Sequence, residues 1–244
     1  NNLIITSGSG TVEFGGNIGA TTALSDVTVN SSAGTGAITF SGNVGADATT
    51  AGAAVVTVGN SDTASITFAG VEFTTSGAQT FTADAYSITG ADSTFGSSND
   101  NITFTDGGAD GGITLADIAD LTITTEIGGS GAGNIAVNVP IAGTSGDGDD
   151  ATDVTMTAGS GTITVEDITT DINDVLLTST GGISLNGNIT TAVDSDETGA
   201  TSGVVTLTGP VTLAGNITID TDSTSNNGAL SLIHISEPTR QNQI

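Results

Sequence analysis

The chain has 244 residues and a formal net charge of −26, with one basic side chain against 27 acidic ones. With nothing to neutralise phosphates and release counterions, nucleic acid and anionic membrane surfaces are excluded as partners. Cysteine is absent, which excludes disulfides and thiol chemistry, so the partners left are cations, neutral glycans and basic proteins.

Read from the N-terminus, one phrase recurs: a short strand, a turn residue, then another apolar residue. It is TVEFGGNIGA at 11–20, AITFSGNVGA at 37–46 and SITFAGVEF at 65–73. It returns as NITFTDGG at 101–108, NIAVNVPI at 134–141 and TITVEDI at 162–168, then as GISLNGNI at 182–189 and VVTLTGPV at 204–211. Between the copies lie further strands, SDVTVN, VVTVGN, QTFTAD, LTITTE, DVTMTA, DVLLTS and GNITID. All alternate apolar residues with Thr or Ser and are bounded by Gly, Asn, Asp or Ser, the composition of strands between turns. The only helix-like stretch, GGITLADIADLTI at 111–123, reads equally as strand or loop.

Aligned on Val12, Ile38, Ile66, Ile102, Ile135, Ile163, Ile183 and Val205, the copies are 20–36 residues apart. A unit of that length with two or three strands is too small to bury its own apolar face and must stack on its neighbours. The expected fold is all-β, a parallel β-helix (β-solenoid) of about eight coils over residues 1–229. At about 4.8 Å per coil it forms a rod roughly 40 Å long. Immunoglobulin-like sandwiches need units of about 100 residues, and a membrane barrel needs aromatic girdles; neither is present.

The strand phrases, above all AITFSGNVGA followed by a V-T-V strand, resemble large repetitive bacterial surface adhesins of the filamentous-haemagglutinin-like and autotransporter-passenger kind. The resemblance spans most of residues 1–229. It implies a secreted or surface-displayed stalk or adhesive, with a receptor, glycan or protein surface as partner. The opening NNLIITSG carries no Met and no secretion signal, and the chain is expected to be an internal piece of a longer protein. Residues 230–244 differ: LSLIHISEPTRQNQI holds the only His, His234, and the only Arg, Arg240. Back-translated, it resembles the adaptor of a transposase-based sequencing library, so this segment is expected to be non-native.

Catalysis is not expected. A polysaccharide lyase needs a basic residue, and Ser/His or metal-His sites need an imidazole; residues 1–229 have neither. A glycosidase needs only two carboxylates, but the aromatic platform that would seat a sugar is missing. The acids gather in loops instead. Asp147, Asp149, Asp150 and Asp153 in GTSGDGDDATD form the candidate calcium site, on a Gly-bearing loop with carboxylate and carbonyl oxygens. Smaller acidic groups are Asp106 with Asp110, Asp194 with Asp196 and Glu197, and Asp220 with Asp222. A calcium-dependent surface-layer or matrix protein is the alternative reading. NSS at 30–32 and NIT at 101, 188 and 216 match glycosylation sequons, but three of them begin strands and are read as turn-to-strand junctions. Repeats such as TIT at 122–124 resemble flat ice-binding faces, but such alternation is ordinary on an outward strand face.

Overall fold

The computed structural model describes residues 1–47, 50–90, 92–109, 111–128, 131–144, 152–191, 203–223, 226–227 and 229–233. Among them every regular element is a strand. The chain winds as the expected parallel β-helix, and each full coil gives one strand to each of three stacks. In chain order within a coil these are the first, second and third faces.

The first face is a nine-stranded parallel sheet that starts at Val12–Phe14, Ile38–Phe40 and Ile66–Phe68 and ends at Ile219–Asp220. The second face runs from Glu72–Thr75 through Ser93–Ser97, Leu121–Thr124, Val154–Thr157 and Val175–Thr178 to Val205–Thr208 and Leu230–Ile233. The third face includes Leu24–Val29, Ala53–Gly59, Gln79–Ala83, Ile102–Asp106 and Ile135–Asn138 and ends at Val211–Leu213. Second and third faces join in one sheet where Ala53 pairs with Thr75. Between coils the pairing is parallel, so equal positions stack: Val12 on Ile38, Ile38 on Ile66 and Ile66 on Tyr86.

That register corrects the alignment of the repeats. True coil partners on the first face are Val12, Ile38, Ile66, Tyr86, Ile113, Ile141, Ile168, Ile189 and Ile219, which puts coils 20–30 residues apart. Ile102, Ile135, Ile163 and Ile183 stack on the third face, and Val205 belongs to the second. The slip has a physical cause. All three strands of a coil carry the same Val/Ile/Thr alternation, so a local phrase does not reveal its face. The stretch 111–123 is two strands, Ile113–Leu115 and Leu121–Thr124, joined by a turn in which Ile118 has a φ of 63°.

Inward positions of the three faces meet in one core. Phe68 of the first face packs edge-on against Phe73 and Phe95 of the second and Phe81 of the third, at centroid distances of 5.5, 4.9 and 5.4 Å. Every aromatic residue lies between Phe14 and Phe104. Beyond it the columns turn aliphatic, as in Ile123, Met156, Leu177 and Leu207, all fully buried. Burying each such side chain stabilises the fold by about 1.5–3 kcal/mol. Tyr86 fits this core because its hydroxyl is satisfied. It accepts the N–H of Ala83 at 3.0 Å and donates to the Thr105 carbonyl at 2.6 Å.

Corners are tied by side chains that cross from coil to coil. Before third-face strands, Asn101 Oδ1 accepts the N–H of Asn134, and Asn134 Oδ1 accepts that of Thr162, each at 2.8 Å. Before first-face strands, Asp167 and Asn188 do the same for Asn188 and Thr218. Asn101 and Asn188 are two of the sequon residues, and the junction reading of them holds. At the same second-to-third corner the Gly161 position leaves no room for a side chain: a Cβ there would sit 1.8 Å from the Gly133 carbonyl oxygen.

Candidate functional site

Of the four residues expected to bind calcium, Asp147, Asp149 and Asp150 lie outside the described residues. Asp110, Asp194, Asp196 and Glu197 do so too, as do His234 and Arg240. Asp153 is described, and its environment is that of a strand junction. It immediately precedes the second-face strand Val154–Thr157 and is half-buried. Its Oδ1 accepts the backbone N–H of Asp174 at 2.9 Å and the Asn173 amide at 3.2 Å. Burial raises the Asp153 carboxyl above the ordinary aspartate range, these two hydrogen bonds oppose the rise, and the nearby Asp174 charge adds to it.

Asp153 is one rung of a column. Asp92 Oδ1 accepts the N–H of Asp120 at 3.3 Å, and Asp120 Oδ1 accepts that of Asp153 at 2.8 Å. Asp153 then serves Asp174, and Asp174 Oδ1 accepts the N–H of Val204 at 2.6 Å. Each aspartate stands just before a second-face strand, at the first-to-second corner of its coil. The carboxylate satisfies a backbone donor that has left one strand and not yet entered the next, a group costly to leave unpaired. Its trace in the sequence is an Asp directly before the strand, in A-D-S, A-D-L, T-D-V and N-D-V. That trace is spread over four coils, whereas the acids of the 147–153 loop stand together.

A second acidic place is a groove of about 270 Å³ at the third-to-first corner, lined by Asp106, Gly111, Asn138, Val139, Pro140, Glu166 and Asp167. Its carboxylates are already engaged within the protein. Asp106 Oδ1 accepts the N–H of Gly108, Glu166 Oε1 accepts from the Asn186 amide, and Asp167 Oδ1 accepts the N–H of Asn188. Among the described residues no three or more His, Cys, Asp or Glu side chains converge to hold a metal ion.

The chemistry on offer is therefore that of carboxylates, hydroxyls and amides. Among the described residues the only other titratable side chain is Tyr86, whose phenol burial pushes well above its usual range. Comparison with protein-family models, with curated proteins and with solved structures finds no match.

Proposed function

We propose that this chain is a structural and adhesive segment of a large secreted or surface-displayed bacterial repeat protein, without catalysis of its own. The observation that carries the reading is the parallel register, unbroken from the first coil to Val205–Thr208. Backbone hydrogen bonds, a continuous core and the Asn/Asp columns all run along one axis. Such an arrangement resists bending and extension, because deforming it breaks many bonds at once, and it leaves the loops free to make contacts. The partner chemistry fitting the charge is an uncharged glycan or a basic protein surface.

Beads coated with the folded chain, compared with beads coated with heat-unfolded chain, test the adhesive reading against arrays of neutral glycans and of cells. Selective retention of the folded-chain beads is the expected result; equal retention would sink it, as would turnover of any polysaccharide by the soluble chain. Calcium provides the other arm. The stalk reading expects no change in melting temperature beyond an equal-ionic-strength control. A large saturable rise would instead favour a calcium-dependent layer protein.

A further inference from the structure

Among the described residues, the outward side of the second face carries a regular array of half-buried threonines. Four consecutive strands place their outward residues in two columns. Thr122, Thr155, Leu176 and Thr206 stack in one; Thr124, Thr157, Thr178 and Thr208 stack in the other. Seven of these eight positions are Thr. Towards the N-terminus the face closes: the Ile127 side chain covers Gly96, and the pair Gly45–Asp47 and Thr50–Ala51 packs beside Glu72–Thr75. The Thr array starts where that cover ends. Leu176, the one interruption, is 39% exposed, so the array faces solvent.

Two properties select a ligand. The first is charge. None of the eight side chains is ionised in a molecule of net charge −26. Asp92, Asp120, Asp153 and Asp174 border the array at one corner, and Glu126 lies past its other side. An anionic surface is repelled there, and the array itself suits an uncharged one. The second is periodicity. Thr hydroxyls and methyls repeat at about 4.8 Å from coil to coil and about 6.6 Å along each strand. Backbone pairing on both sides fixes that grid. Flat crystalline sugar would be the other uncharged lattice, but sugar rings dock by stacking on aromatic faces, and no aromatic residue follows Phe104.

We propose that this threonine array binds ice. A rigid two-dimensional grid of hydroxyls holds water oxygens at fixed spacings, and methyl groups between them exclude disordered water. Each contact is weak, but the grid is ordered in advance, so contacts made together hold a crystal face that none would hold alone. The T-x-T phrase is ordinary in one strand; its recurrence in register in three of four consecutive coils, with Thr178 keeping the second column whole, carries the inference.

The whole chain, dye-labelled at the Asn1 amine, is tested for uptake into a growing ice hemisphere and for inhibition of recrystallisation. Uptake, with faceted crystals, is expected. Thr157→Lys, at the centre of the array, is expected to weaken inhibition by about tenfold or more, equivalent to ~1.4 kcal/mol. Thr164→Lys, outward on the third face of the same coil, leaves it unchanged. Circular dichroism checks the fold of each variant, and Thr178→Lys replaces Thr157→Lys if the latter does not fold. Exclusion of the labelled chain from ice overturns the proposal. Equal losses in the Thr157 and Thr164 variants overturn it too, as does retention on crystalline cellulose without any effect on ice.

Discussion

The Asp120 carboxylate accepts the backbone N–H of Asp153, 33 residues later in the chain, at 2.8 Å. One coil's side chain thus completes the next coil's main chain, and the same bond recurs along the column. Replacing Asp120 by Ala orphans the Asp153 N–H and is expected to cost about 1–2 kcal/mol. Asp120→Asn keeps an acceptor oxygen and is expected to cost clearly less. Thermal melts of the two variants check the difference, and equal losses would show that charge, not hydrogen bonding, is what matters there.

Asp153 provides a pH test. Its pKa is raised by burial, so the folded state holds its proton to higher pH than the unfolded chain. The sign follows from linkage: as pH rises from the unfolded value through the folded one, stability falls. Asp153→Asn retains an acceptor for the Asp174 N–H and removes the half-buried charge. The variant is expected to melt higher than the parent at pH 7, with the gap closing as pH falls through the raised folded-state value towards about 4. A variant that melts lower at pH 7 would contradict this.

Phe68 touches rings from all three faces, so its truncation opens a cavity where the faces meet. Phe68→Ala is expected to lose about 3–5 kcal/mol. Tyr86 lies in the same core and is the only Tyr in a chain without Trp. Its fluorescence therefore follows this region directly. Stacked repeats need not melt as one unit, so the fluorescence transition should fall further than that read by backbone dichroism.

Gly161 and Gly15 form a matched pair. A Cβ at Gly161 would collide with the Gly133 carbonyl, whereas one at Gly15 meets nothing within 4 Å. Gly161→Ala is expected to destabilise by at least ~1–3 kcal/mol, the usual penalty of overpacking. Gly15→Ala is expected to change stability by no more than about 0.5 kcal/mol, as at other open surface positions. Urea titration of both variants measures the contrast.

Strand composition, the repeat and the parallel stacking are all legible in the order of the amino acids, because they rest on local alternation and on a unit too short to fold alone. The expectation that nucleic acid is not a partner needs only the charge. Which strand lies on which face is not legible there: the three strands of a coil share one pattern, and only backbone pairing between coils separates Ile66 with Tyr86 from Ile102 with Ile135. The role of Asp153 is hidden for the same reason. Its sequence neighbours are loop acids, but its bonding partners are Asp120 and Asp174, one coil away on either side. The threonine grid likewise exists only in register. Amino-acid order sets what each coil is made of; tertiary stacking decides which residues meet, because along this axis every neighbour is a full coil distant in the chain.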